Sequence, residues 1–108
     1  MKLKSMFFCL ASALIFSFHS KAQVVINEYS CSNLTQFVDD HSDYGDWFEL
    51  YNTGNAAVSL QGMYLSDDSL NNLKWLVPAN VNIGAFGFAR FWASGRNAVS
   101  GTHFHTNF

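Results

Sequence analysis

Two cysteines and one proline are all that the 108 residues contain of those types. Beyond residue 22 the only thiol is Cys31, so no disulfide can form within that part of the chain, and its stability has to come from an apolar core. Basic residues are also scarce: Lys74, Arg90 and Arg96 are the only ones after residue 22, against eight acids, a formal charge of −5. That balance excludes nucleic-acid binding through phosphates and docking on anionic lipid, both of which need clustered Lys and Arg. Apolar residues at helical spacing are absent over any window long enough for three turns, apart from residues 1–22.

Residues 1–22 have the form of a secretory signal. Lys2 and Lys4 give a positive start, Met6 to Phe18 is an apolar run, and Ser20-Lys21-Ala22 offers small residues for cleavage before Gln23. The run is shorter than the roughly 20 residues that span a bilayer, and Ser12, Ser17 and His19 interrupt or flank it, so no stable membrane insertion is expected once it is removed. The expected organisation is a signal peptide over 1–22 and one domain over 23–108, in a product that is secreted, periplasmic or displayed at the cell surface.

Aromatic residues are abundant, at 17% of the chain. The strand Asp46–Asn52 (DWFELYN) carries bulk on both faces, Trp47, Glu49 and Tyr51 alternating with Phe48, Leu50 and Asn52, as a strand inside a sandwich does. Val24–Tyr29, Ala57–Leu60, Met63–Leu65, Lys74–Val77 and Ala85–Ala93 read as further strands, separated by turn chemistry at Asp39–Asp46, Thr53–Ala56 and Ser66–Leu73. Ser94–Gly101 reads as a loop, and Thr102–Phe108 as the start of one more strand. Short strands at this spacing predict an all-β sandwich.

The motifs DWFELYN, LQGMYLSDD (Leu60–Asp68), KWLVP (Lys74–Pro78), FWASG (Phe91–Gly95) and HTNF (His105–Phe108), preceded by INE (Ile26–Glu28), occur in an order that resembles the lamin tail domain, and most closely its bacterial exported branch. The resemblance implies an immunoglobulin-like β-sandwich. Relatives carry IPAGG where this chain has Ile83–Gly87, and they continue beyond HTNF with at least one more strand. The resemblance therefore implies a sandwich incomplete at its C-terminus, with an unpaired edge open to association.

Asp39, Asp40, Asp43 and Asp46 offer hard oxygen ligands of the kind Ca²⁺ takes, but their spacing departs from an EF-hand loop, and acceptance of backbone N–H groups in turns is the favoured role. Asp67 and Asp68 form a similar, smaller pair. His103 and His105 face the same way on a strand, and with His41 could hold a transition metal; packing and hydrogen bonding are favoured over that reading. Glu28 and Glu49 form a carboxylate pair only on paper, and Cys31 has no nucleophile motif around it. Trp47, Tyr51, Tyr64 and Trp75, with Trp92, are candidates for an exposed aromatic binding surface. No cofactor and no catalytic residue is expected.

By analogy with such exported domains, the expected function is a non-catalytic extracellular interaction or adhesion module binding a protein or an extracellular polymer. The alternatives are an accessory domain of a larger secreted hydrolase or nuclease, and a calcium-dependent adhesion domain.

Overall fold

The structure, a computed structural model, describes residues 22–108. The segment read as a signal peptide lies outside the described residues except for Ala22. Among the described residues there are nine strands and no helix: β1 (Val24–Ser30), β2 (Trp47–Asn52), β3 (Val58–Ser59), β4 (Tyr64–Leu65), β5 (Trp75–Leu76), β6 (Asn82–Ile83), β7 (Phe88–Trp92), β8 (Ala98–Ser100) and β9 (His103–His105).

One layer is a five-stranded sheet in the order β1-β2-β7-β9-β8. Its pairs are antiparallel except β7 with β9, which run parallel and set Trp92 beside His105. The other layer is a ribbon of two chain segments. β3 pairs with β6 and β4 with β5, and between these short ladders the Leu60 N–H donates to Val81 O and the Val77 N–H to Met63 O. The ribbon is therefore nearly continuous, broken where Gly62 takes a left-handed φ of 80° opposite Pro78, which has no N–H to give.

Alternation explains the core. Phe48, Leu50 and Asn52 of β2 and Ala89 and Phe91 of β7 point inward, joined by Phe104 of β9, and meet Leu60, Trp75, Val77, Val81 and Ile83 from the ribbon. Phe91 lies at the centre, stacked on Phe48 at 5.3 Å and flanked by Trp75 at 6.2 Å and Phe104 at 4.9 Å. Asn52 also points inward and is fully buried. Its amide donates to the carbonyls of Ala56, Ile83 and Gly84, and its oxygen accepts from the Gly54 N–H and the Gln23 amide, so one polar side chain closes the TGN turn onto the ribbon.

The structure corrects several strand expectations. Ser94–Gly101 is not all loop, because Ala98–Ser100 forms β8 as an antiparallel partner of β9. Asn82–Ile83 forms β6 in a segment with no strand expectation, and the strand expected over Ala85–Ala93 begins only at Phe88. Phe86 has a φ of 51°, and the Gly87 N–H bonds Gly84 O, so Ala85–Gly87 is a turn.

Phe91→Ala is expected to cost about 3–5 kcal/mol in urea unfolding, because the ring is enclosed by three others. Leu70→Ala, at a side chain that is 95% exposed, should stay within about 0.5 kcal/mol of the parent.

Candidate functional site

The outer face of the five-stranded sheet carries Trp47, Glu49 and Tyr51 of β2 opposite Trp92, Arg90 and Phe88 of β7. A sheet face this bulky needs a cover, and the segment between β1 and β2 supplies it. Phe37 meets Trp47 edge-on at 5.2 Å, and the Arg90 guanidinium lies 3.4 Å from the Phe37 ring centre and 4.9 Å from that of Trp47 while bonding Glu49. Trp47 is consequently 2% exposed.

A covering loop has backbone groups to satisfy, and two side chains do most of this. Asn33 takes the Gln36 N–H and gives its amide to the Gln36 and Gly45 carbonyls, while its own N–H donates to Asp46 Oδ1. Asp39 Oδ1 accepts from the His41 and Asp43 N–H groups at 2.8 and 3.0 Å, and its Oδ2 accepts from Arg96 Nη1 at 3.2 Å. Arg96 also pairs with Asp43. Burial works to raise the Asp39 pKa, but the two backbone donors, Arg96 and His105 together hold it below the usual carboxylate value.

Beside this loop stand three histidines. His105, 1% exposed, bonds Asp40 Oδ1 through Nε2 at 2.7 Å and Ser94 Oγ through Nδ1 at 2.8 Å. Its ring is stacked on Trp92 at 5.7 Å and meets His41 edge-on at 5.3 Å. His103 stacks on the same tryptophan at 5.3 Å, with its buried Nδ1 3.9 Å from Asp40 Oδ1 and bonded to nothing. The His105 hydrogen bond holds the Asp40 pKa below its ordinary value, outweighing partial desolvation.

The aspartate–imidazole–hydroxyl chain Asp40–His105–Ser94 has the composition of a nucleophilic triad. Its hydrogen bonds tie the acidic loop, through Asp40, to His105 of β9 and on to Ser94.

The structure separates the calcium candidates. Asp39 and Asp43 share Arg96, a cation of the protein itself, Asp46 caps Asn33, and Asp40 turns toward the histidines, so the four carboxylates do not converge as an oxygen cage. Asp67 pairs with Lys74 at 2.6 Å. Glu28 lies opposite Glu49 across the β1–β2 ladder, but Glu49 is held by Asn27 and Arg90. Cys31 is exposed.

The aromatic candidates divide. Trp47 and Trp75 are buried, Trp47 under Phe37 and Trp75 against Phe91 with its indole N–H on Asn97, so neither belongs to a surface. Tyr51 is half-buried, stacked on Phe88 at 4.7 Å, and Tyr64 is exposed. The sequence reading also missed a pair of neighbouring apolar clefts on the inner side of β1. One, of about 300 Å³, is lined by Ile26, Tyr29, Phe48, Leu65 and Phe108 among others; the next, of about 220 Å³, adds Val24, Met63 and Tyr64.

Asp39→Ala is expected to cost about 2–3 kcal/mol in denaturant unfolding, since it strands two backbone donors and an arginine. A double-mutant cycle with Arg96→Ala should return a coupling of about 1 kcal/mol.

Among protein-family models, the one described as Lamin Tail Domain matches residues 17–108. No curated protein and no solved structure matches.

Proposed function

The chain belongs to the lamin tail domain family, and we propose that it serves as a non-catalytic interaction domain whose working surface is the open mouth of the sandwich beside β1. One observation carries this reading. Ile26 pairs with Leu50 in register and so lies on the inner face, yet it is 68% exposed because the ribbon does not reach over β1.

Among the described residues β1 has no neighbour on its far side, so its outer edge offers unpaired N–H and C=O groups next to the two apolar clefts. That combination suits an extended apolar segment of another protein. Such a segment adds a strand to β1 through main-chain bonds and seats alternate side chains against Ile26, Phe48 and Leu65. The acidic balance after residue 22 supports a protein partner over nucleic acid. The signal-like pattern of residues 1–22 supports action outside the cytoplasm, as part of an exported bacterial protein.

Selection of a random-peptide display library on the immobilised protein is expected to enrich segments with apolar residues at alternate positions, and Ile26→Asp to abolish their binding. Since Ile26 is 68% exposed within β1, that substitution should cost no more than about 1 kcal/mol of stability, and circular dichroism of the variant verifies its fold. Enrichment of no such segments, or equal binding by Ile26→Asp, would overturn the proposal.

A further inference from the structure

We propose that Asp40, His41 and His105 form a binding site for a divalent transition metal, with Zn²⁺ the representative ion and His103 the nearest further imidazole. This goes beyond the interaction surface at β1 and does not depend on it.

The geometry points to the site from several directions. Asp40, His41 and His105 each present a ligand atom, and those atoms lie within 4.8 Å of one another. Three imidazole nitrogens surround one oxygen: His105 Nε2 is 2.7 Å, His41 Nε2 3.8 Å and His103 Nδ1 3.9 Å from Asp40 Oδ1. Zinc bonds of about 2.0–2.1 Å put neighbouring ligand atoms about 3.3–3.4 Å apart around a tetrahedron, so each imidazole nitrogen needs a shift of roughly half an ångström relative to Asp40 Oδ1, and the widest pair of the group, within 4.8 Å, closes by at most about 1.5 Å. Imidazole and carboxylate together suit zinc and its neighbours rather than calcium, which takes oxygen alone.

The surroundings are those of a supported site. Ser94 Oγ stands 2.8 Å from His105 Nδ1 and can accept that N–H, which fixes the ring and leaves the Nε2 lone pair for the metal. Trp92 packs under both His103 and His105 and limits their rotation. The fully buried Asp39 carboxylate, 4.0 Å from His105 Nδ1 and itself paired with Arg96, packs behind the ligands. His103 Nδ1 is buried without a hydrogen-bond partner and lies on the Asp40 side, a cost that metal coordination removes.

On binding, the metal takes the place of the proton shared by Asp40 Oδ1 and His105 Nε2, and that proton goes to solvent. The consequence is structural. An ion held by Asp40 and His41 from the loop and by His105 from β9 joins segments more than sixty residues apart, in a region of the chain that has no disulfide.

The test is calorimetric titration of the EDTA-stripped protein with Zn²⁺, with Ca²⁺ and Mg²⁺ in parallel, and visible absorption of the Co²⁺ form. The expected results are one Zn²⁺ per chain, a higher melting temperature that EDTA reverses, no comparable heat from Ca²⁺ or Mg²⁺, and the intense visible bands of four-coordinate cobalt. His41→Ala and Asp40→Asn should each weaken binding by roughly tenfold or more. Both residues are exposed, and the circular dichroism of the variants in EDTA verifies that they fold. Absence of zinc binding to the parent, or binding unchanged in folded His41→Ala or Asp40→Asn, overturns the site.

Discussion

The buried Asp39 carboxylate is the interaction on which the outer half of the molecule depends. A five-stranded sheet with Trp47, Arg90 and Trp92 on its outward side cannot leave that face to water without a large apolar cost, and among the described residues no second sheet lies there. A loop can cover it only if the loop's own backbone is satisfied. Asp39 meets that need by holding two N–H groups and Arg96 at once, with its charge balanced by the arginine rather than by solvent. The left-handed φ of 65° at Ser42, unusual for a residue with a side chain, is tolerated because these bonds over-determine the turn.

How far this was legible in the sequence depends on the range of the interactions. The inward set Phe48, Leu50, Asn52 and the outward set Trp47, Glu49, Tyr51 follow from period-two alternation, and the structure keeps both. Alternation says which side a residue faces and nothing about what covers that side. Trp47 therefore reads as a surface candidate although Phe37 and Arg90 bury it, and Trp75 reads the same way although Phe91 and Asn97 enclose it. β6 and β8 escape notice for another reason. Two or three residues of ladder, AVS or NI, leave no periodic trace, and they exist because β3 and β9 need partners.

The histidine cluster shows the same division. That His103 and His105 share a face is a property of any strand and was visible at once. Their meeting with Asp40 and His41 is set by the parallel pairing of β9 with β7 and by the fold of the acidic loop, which are tertiary facts. The turn role assigned to the aspartates was also only partly separable in advance, since four of them stand within eight residues and only the fold shows that Asp39 and Asp43 share Arg96 while Asp40 does not.

The sandwich is thus finished differently on its two sides. Around β9, inside the exposed edge strand β8, the polar side chains of His105, Thr106 and Asp39 are all buried and all hydrogen-bonded, and Thr106 takes its place in the ladder by donating its N–H to Trp92 O. At the β1 edge the described residues make no comparable closure, and an isoleucine on the inner face is largely exposed. These sides belong to one continuous frame, because Asp46 ends the acidic loop, bonds Ala93 across to β7 and lines the larger apolar cleft. The loop that orders the histidines therefore also sets one wall of the open mouth. A wall held in place in this way lowers the ordering cost for any segment that adds to the β1 edge.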